Sequence, residues 1–260
     1  MKLHLFLHGK GGIGKSQMAA ATADYFQRHG ISAYCVDCDP STSTFRNIDS
    51  LSVQFFDVMD GDEVDSSRFD EMLLTILGSG CEHAIVDSGS GGYQALTDYL
   101  AQADMFHVLK AQGHQAFLHT VLAGGGMMGS TLEGLHQLAE LFPTVDFVLW
   151  LNPKDGPLVH EGHSVTQHPA YQRHRSLIKA AVVLPSLNKK TYTKDLSAML
   201  ARGQTHEDAD ADPDVNFIVK NRLHQIRQAF DVLLTRMLTE LSAAPPASPA
   251  NPKKTPTAQV

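Results

Sequence analysis

Residues close to the amino terminus have the types and the spacing needed to hold phosphate groups. Residues 9–16 read GKGGIGKS and fit the phosphate-loop pattern G-x-x-x-x-G-K-[ST]. Glycines let the backbone curl so that successive N–H groups point towards phosphate oxygens. In this pattern Lys15 reaches the β- and γ-phosphates, and the Ser16 hydroxyl ligates Mg²⁺. A nucleoside triphosphate with Mg²⁺ is therefore the predicted ligand. The residues predicted to bind the nucleotide here are Gly11, Gly12, Ile13, Gly14, Lys15, Ser16 and Gln17.

A carboxylate farther along the chain has the position of a magnesium-site residue. Asp87 ends the short apolar stretch His-Ala-Ile-Val-Asp, as the aspartate of a Walker B strand does. The turn that follows, residues 88–92, reads SGSGG, and a turn so rich in glycine can move. Asp87 is therefore predicted to hold the Mg²⁺ shell, and the turn to sense the γ-phosphate.

The elements that position these residues alternate between apolar strands and amphipathic helices. The predicted fold is α/β, a doubly wound and mostly parallel sheet with helices on both faces, as in P-loop NTPases. Residues 112–141 are predicted to be helical with a break at the three glycines 124–126, and residues 206–214 to be a surface loop. A final helix is predicted over residues 215–241. The predicted strands are residues 3–7, 31–36, 53–56, 83–87, 105–109, 145–151 and 180–184.

Length and composition indicate one domain, over residues 1–241 with the phosphate loop near its start, and a disordered, proline-rich tail over residues 242–260. The net charge of −7 argues against a protein dominated by nonspecific DNA binding. No apolar run reaches 18 residues, so no membrane span is expected. Cys35 and Cys38 are interpreted as buried, inert thiols. Because the chain enters a strand at once, no signal peptide is predicted, and the expected compartment is the cytoplasm.

A second lysine, Lys10, lies inside the phosphate loop. The run KGGIGKS resembles the deviant Walker A motif of the P-loop ATPase class that includes MinD, ParA and Mrp-type proteins. The resemblance implies that Lys10 crosses the interface of an ATP-dependent homodimer to the partner's nucleotide, and that Lys10, Lys15 and Asp39 are catalytic. Asp39 would position the attacking water and, with Ser16 and Asp87, lie at the metal.

The same resemblance implies where the base binds. An asparagine after the strand at residues 145–151 would contact the adenine edge, which corresponds to Asn152 here. A proline after the last strand, Pro185, would lie near the base. An Asx turn ahead of Pro153 remains an alternative role for Asn152.

Further motifs, HGKGGIGKS, MDGDE, GHQ, HTV and WLNP, are similar to those of the conjugal-transfer TraL proteins, and less closely to the plasmid-stability StbB group. This resemblance implies a slow, partner-stimulated ATPase that serves plasmid transfer or stability. Its partner would be a conjugation or secretion-system protein, which could recruit it to the inner membrane or the nucleoid.

Two other functions stay open at this level. A small-molecule enzyme of the same fold, similar to dethiobiotin synthetase, would also bind ATP. A ParA-type partition ATPase would bind DNA without sequence preference, and basic residues near positions 173–194 leave DNA binding possible. The pair His160 and His163 has metal-ligand spacing, but an exposed loop is the preferred interpretation of that segment.

Overall fold

The computed structural model describes residues 1–40, 44–61 and 63–243. Its strands, in chain order, are β1 (Lys2–Phe6), β2 (Ala33–Asp37), β3 (Gln54–Phe55), β4 (Met59–Asp60), β5 (Glu63–Val64), β6 (His83–Asp87), β7 (Gln115–Ala123), β8 (Asp146–Asn152), β9 (Val159–His160), β10 (His163–Ser164) and β11 (Ile178–Val183). Its α-helices are α1 (Lys15–Arg28), α2 (Arg68–Gly78), α3 (Tyr93–Gln102), α4 (Met105–Ala111), α5 (Met128–Leu141), α6 (Pro169–Arg173), α7 (Tyr192–Ala201), α8 (His206–Ala211) and α9 (Phe217–Ser242).

Seven strands form one sheet in the order β11-β8-β7-β1-β6-β2-β3, and every neighbouring pair is parallel. The strand before the phosphate loop, β1, lies in the middle between β6 and β7. Both neighbours are therefore close to the loop at the carboxyl edge of the sheet, where ligands of open α/β folds bind. Two short antiparallel hairpins, β4–β5 and β9–β10, lie outside this sheet.

Side chains alternate between the two faces of the sheet and build two apolar layers. Leu3 and Leu5 face the layer that holds α2 to α6, while Phe6 faces the layer that holds α1 and α7 to α9. These strands are buried on both faces, which explains their nearly continuous apolar sequence. The predicted doubly wound α/β fold is confirmed.

The prediction was wrong about the middle of the chain. Residues 105–109, predicted as a strand, are in helix α4, and residues 115–123, predicted as helix, form the long strand β7. Short apolar runs do not distinguish a buried strand from a buried helix by periodicity. β7 pairs with both β1 and β8, and this tertiary pairing decided its conformation.

The three glycines after β7 end the strand instead of breaking a helix. A Cβ on Gly124 would lie 2.1 Å from the carbonyl oxygen of Gly156, and one on Gly125 would lie 2.4 Å from that of Asp155. Gly125 also has a positive φ of 66°. The glycines therefore allow the loops after β7 and β8 to touch through their backbones.

Smaller corrections concern the carboxyl-terminal half. The segment expected as a surface loop at residues 206–214 contains α8, which begins with a capping box formed by Thr205 and Asp208. The last helix runs from Phe217 to Ser242, one residue beyond the predicted domain end. The tail prediction for residues 242–260 falls from residue 244 onwards outside the described residues. Within the described part of the chain, no helix is long and apolar enough to cross a membrane.

Candidate functional site

The phosphate loop connects β1 to α1, and its glycines adopt the conformations that such a loop needs. Gly12 and Gly14 have positive φ angles of 74° and 105°. Helix α1 begins at Lys15, so the first backbone N–H groups of the helix are directed to the loop's concave side. The Lys15 ammonium donates a hydrogen bond of 3.1 Å to the carbonyl oxygen of Lys10, which closes the loop on itself.

Lys15 is buried together with opposite charges. Only 5% of its surface is exposed, and burial lowers the pKa of its amine, while the nearby carboxylates of Asp87 and Asp39 act in the opposite direction. A lysine held in a poorly solvated pocket interacts strongly with phosphate oxygens, because water screens it little. Lys15 is the residue that the sequence predicts to bind phosphate.

The sheet brings the candidate carboxylates to this lysine. In the parallel register, Phe6 of β1 and Asp37 of β2 both align with Asp87 at the end of β6. The chain after β2 is tied to that strand end, because the N–H of Cys38 donates to the carbonyl oxygen of Asp87 at 2.9 Å. Asp39 follows directly, so residues far apart in sequence meet at one edge of the sheet.

Asp87 is a buried carboxylate with the properties of a cation site. It is 1% exposed, and within the described residues its oxygens make no fully formed hydrogen bond, although the Ser16 hydroxyl lies close enough to favour the ionised carboxylate. Burial nevertheless raises the pKa of Asp87 to about 7, against the effects of Ser16 and of the Lys15 charge. A buried carboxylate with so little hydrogen bonding is costly, so these oxygens fit a divalent cation together with the Ser16 hydroxyl.

Asp39 packs against the glycine-rich turn after β6. A Cβ on Gly89, whose φ is 56°, would lie 1.9 Å from both Cγ and Oδ2 of Asp39. Only a glycine permits this approach. The turn that carries Asp39 is held by Asp37, which accepts hydrogen bonds from the N–H groups of Asp39 at 2.9 Å and Arg46 at 3.1 Å. The turn after β2 and the turn after β6 therefore contact each other directly.

The phosphate loop, Asp39 and Gly89 line a cleft that opens to solvent. A second, much smaller cleft is lined by Asn152 and Pro185 among others. Gln17 lines both clefts, so they are neighbours. A cleft at a phosphate loop beside a half-apolar pocket suits a nucleotide, with its base away from the charged loop.

Asn152 uses its amide within the protein. Its Nδ2 donates to the carbonyl oxygen of Ile13 at 3.0 Å, and its Oδ1 accepts from the N–H of Lys154 at 3.1 Å. The second bond is the Asx turn that the sequence left open, and the first fixes the phosphate loop to the end of β8. Contact of Asn152 and Pro185 with the base stays a prediction.

Lys10 is the exposed lysine of the loop. Its side chain lines neither cleft, whereas the side chains of Lys15 and Asp87 are buried. Its backbone is fixed, because its N–H donates to Nδ1 of His8 at 2.9 Å. The loop therefore presents a charged side chain to solvent from a well-held backbone position.

Sequence reasoning missed His8. The imidazole is 2% exposed and packs against Gly134 of α5, where a Cβ would lie 2.6 Å from its Nε2. Its Nε2 lies 3.4 Å from the carbonyl oxygen of Thr131. Burial lowers the pKa of His8 to about 4, so Nδ1 stays an acceptor for the loop at neutral pH. Only its place beside the loop's first glycine could have suggested this role.

The pair Cys35 and Cys38 shows no sign of chemistry. Both side chains are buried, and burial raises the pKa of Cys35 to about 12 and that of Cys38 well above its usual range. Their thiolates are therefore strongly disfavoured at neutral pH, as the sequence interpretation requires. His160 and His163 face each other across the β9–β10 hairpin, so the preferred interpretation of a loop was incomplete.

With this geometry in hand, sequence relatives identify the family. The chain is 36% identical over 228 residues to a Protein TraL from Escherichia coli, a match that covers 87% of this chain and 94% of that protein. A second Protein TraL from the same organism is 35% identical over 227 residues. The chain belongs to the TraL family. No family model matches this TraL family member.

Solved structures confirm the fold of this TraL family chain. The MinD cell division protein of Aquifex aeolicus is similar with a TM-score of 0.57 and 14% identity, covering 94% of this chain and 99% of that chain. A MinC:MinD cell division protein complex from the same organism gives the same TM-score and identity over 95% of this chain. At this level of identity the likeness establishes a common fold. The predicted resemblance to MinD/ParA-type P-loop proteins is confirmed at the level of the fold.

Proposed function

We propose that this TraL family member is an ATP-hydrolysing switch that forms a homodimer in its ATP state. One observation carries the proposal: Lys15 and Asp87 are buried close together at a phosphate loop whose other lysine, Lys10, is exposed. A glycine turn without ligand would not require a buried cation beside a buried carboxylate.

The chain's own residues have separate tasks in this proposal. The loop N–H groups and Lys15 bind the β- and γ-phosphates, and Ser16 and Asp87 hold the Mg²⁺ shell, with Asp39 close by. Mg²⁺, when bound, neutralises phosphate charge. Asp39 orients the attacking water as a hydrogen-bond acceptor near the γ-phosphate. Its packing on Gly89 links hydrolysis to the turn after β6, because a change at one turn displaces the other.

Lys10 provides the dimer contact in this proposal. An exposed cation at the tip of a phosphate loop can reach phosphates that belong to a second subunit facing the same cleft. Such a contact forms only when the partner carries ATP, so nucleotide state and dimerisation are coupled. The hydrogen bond from the Lys10 N–H to His8 holds this backbone position in place.

The biological setting is proposed from family membership. As a TraL family member, the protein would serve plasmid conjugative transfer from the cytoplasm, by recruiting or positioning a component of the conjugation or secretion machinery. That partner would also supply any location at the inner membrane or the nucleoid. Nonspecific DNA binding as in ParA-type partition is the weaker proposal, because the net charge of −7 opposes it.

The test compares oligomeric state in hydrolysis-deficient protein. Asp39→Ala, with ATP and Mg²⁺, is expected to elute as a dimer in gel filtration with light scattering, and Asp39→Ala/Lys10→Ala as a monomer. Loss of a charged contact in a desolvated interface costs about 2–5 kcal/mol, or tens- to thousands-fold in dimer affinity. Asp39→Ala/Lys110→Ala is the control, because Lys110 is an exposed lysine on α4.

Equal dimerisation of both Lys10 forms, or none in either, would contradict the dimer model. Binding of ATP by the monomeric double variant, measured by calorimetry, shows that the cleft itself is intact. ATP turnover that depends on an added metabolite would then favour the small-molecule enzyme.

A further inference from the structure

A group of nitrogen and oxygen ligands lies outside the nucleotide cleft, between α5 and the chain after α6. His136 and Glu140 are four residues apart on α5, so their side chains share one face of that helix. His174 follows α6 and is 6% exposed. None of these three residues lines either of the two clefts described above.

Three atoms of these residues form a small triangle. Nδ1 of His136 lies 2.8 Å from Nε2 of His174, and Oε1 of Glu140 lies 3.9 Å from the first nitrogen and 3.8 Å from the second. A triangle with these sides has a circumscribed radius of about 2.1 Å, so one point lies at that distance from all three atoms; zinc bonds to His nitrogen and carboxylate oxygen have this length.

We propose that His136, Glu140 and His174 form a Zn²⁺ site. Two imidazoles and one carboxylate are a known zinc ligand set, and they leave a fourth position for water or for a ligand from elsewhere. Tetrahedral bonds of this length separate ligand atoms by about 3.3 Å, so the two nitrogens would move apart by about half an ångström. A shift of this size lies within side-chain rotation. The site is independent of the proposed ATP chemistry.

The surrounding structure prepares the ligands. His174 is held by its backbone, since its N–H donates to the carbonyl oxygen of Tyr171 and its own carbonyl oxygen accepts from Leu177. Tyr171 is buried and fixes α6 on α5. Nδ1 of His136 and Nε2 of His174 share a hydrogen bond in this structure, and a change of tautomer in the donating imidazole turns both nitrogens towards a metal as lone pairs.

One charge opposes the cation. An Arg173 amino group, Nη2, lies 3.2 Å from Oε1 of Glu140. Arg173 is largely exposed, and the carboxylate has a second oxygen that can keep this ion pair while Oε1 binds the metal. Removal of the guanidinium is therefore expected to strengthen Zn²⁺ binding.

A neighbouring trio provides a matched control. His160, Glu161 and His168 also lie close together, but Nδ1 of His168 already accepts from the N–H of Ala170. Glu161 is exposed, and its φ of 50° is a strained backbone conformation for a residue other than glycine. Its carboxylate is therefore poorly suited to be a fixed metal ligand. This trio therefore has the same ligand types without the prepared geometry.

The experiment titrates untagged full-length protein with Zn²⁺ against a chromophoric chelator at pH 7.5, and with Co²⁺ while visible absorption is recorded. The wild-type protein is expected to bind one Zn²⁺ per chain tightly and to give the intense Co²⁺ bands of a tetrahedral site. His174→Ala and Glu140→Gln should weaken binding about 100-fold or more, because even residues that only support metal ligands cost 10–100-fold. Glu161→Gln should bind as the wild type does, because Glu161 is exposed and does not hold α6. Arg173→Ala should bind more tightly.

Glu140 is half exposed, so Glu140→Gln keeps the fold even if His174→Ala does not. Circular dichroism checks both variants. Loss of binding in Glu161→Gln with retention in Glu140→Gln would place the metal at the other trio and overturn the proposal. Weak binding of several ions, equal in all variants, would also overturn it. ATP affinity stays unchanged in either case, which separates this test from that of the proposed function.

Discussion

At the scale of single residues, the phosphate site depends on charges that are balanced while buried. Lys15 and Asp87 each shift the pKa of the other in the direction that favours the ionised form, although burial opposes both. Neither charge would be stable there alone. Their mutual presence supports the proposal that phosphate and a divalent cation bind at this site.

We expect Lys15→Ala to weaken ATP binding by about 10- to 150-fold, since a hydrogen bond to a charged group contributes about 1.5–3 kcal/mol. Isothermal calorimetry with ATP and Mg²⁺ measures this. Lys110→Ala is the control, because that lysine is exposed on α4. ATP affinity within twofold of the wild type would remove Lys15 from the phosphate site.

Gly89→Ala tests the contact between the two turns. The added Cβ would displace the Asp39 carboxylate, so ATP hydrolysis should fall at least tenfold. Gly30→Ala is a matched control, because Gly30 has a similar φ of 64° but no atom near the added Cβ. The positive φ alone costs each variant about 1 kcal/mol, or roughly 2–4 °C in melting temperature. Equal turnover in both variants would show that Asp39 does not depend on this packing.

At the scale of elements, a chain of hydrogen-bonded aromatic side chains, three buried and the last half-buried, links four adjacent strands of the sheet. Nε1 of Trp150 donates to Nδ1 of His119 at 3.0 Å, Nε2 of His119 lies 2.9 Å from Nδ1 of His4, and Nε2 of His4 lies 3.0 Å from Nδ1 of His83. An indole only donates, so every later bond runs in the same direction with neutral imidazoles. Burial lowers the pKa of His119 to about 3 and that of His83 to about 4.

These histidines predict how stability changes with pH. Below about pH 6.5 a histidine in the unfolded chain takes up a proton, whereas His119 in the folded protein does not. Acid therefore stabilises the unfolded state, and the contribution of His119 to the free energy of unfolding decreases as the pH falls from 7. His119→Phe should cost about 1–3 kcal/mol at pH 7.5, because it leaves the Trp150 N–H without a partner. That difference from the wild type should shrink at pH 5.5.

Urea unfolding at the two pH values measures the difference. The pKa values of Asp37 and Asp87 are raised to about 6 and 7, so these residues change stability with pH in the opposite direction. Both aspartates are present in the wild type and in His119→Phe, so their effects cancel in the difference between the two. His107→Gln is the control, since His107 is exposed on α4. A difference that stays constant or grows on acidification would contradict the neutral histidine chain.

At the scale of the whole molecule, α9 closes the layer that holds α1, and the chain beyond it carries no apolar pattern. The buried residues Leu234, Met237 and Leu241 reach almost to the end of α9. The segment from residue 244 onwards contains five prolines. We therefore expect the folding unit to end with α9.

Deletion of residues 244–260 is expected to leave the melting temperature within about 1 °C and ATP turnover unchanged, as for other surface changes. Truncation after residue 233 is the contrasting variant, because it removes three buried side chains that each contribute about 2–5 kcal/mol. Differential scanning fluorimetry compares the two. A drop of more than 5 °C in the shorter deletion would show that the tail packs on the domain.

The sequence alone determined the phosphate loop and most of the sheet. Loop chemistry is local, because the glycines, Lys15 and Ser16 act within eight residues, and strands buried on both faces have recognisable apolar runs. β6 was predicted with the bounds that it has, ending at Asp87. These features need no knowledge of distant residues.

Only the tertiary structure decided which residues meet. β7 is a strand because its backbone pairs with β1 on one side and β8 on the other, and no local sequence pattern encodes that pairing. The roles of His8 beneath the loop and of His174 beside His136 arise from contacts across 123 and 38 positions in the chain. Such contacts depend on how helices pack on the sheet. The sequence around a histidine does not show whether its side chain is buried, hydrogen-bonded or exposed.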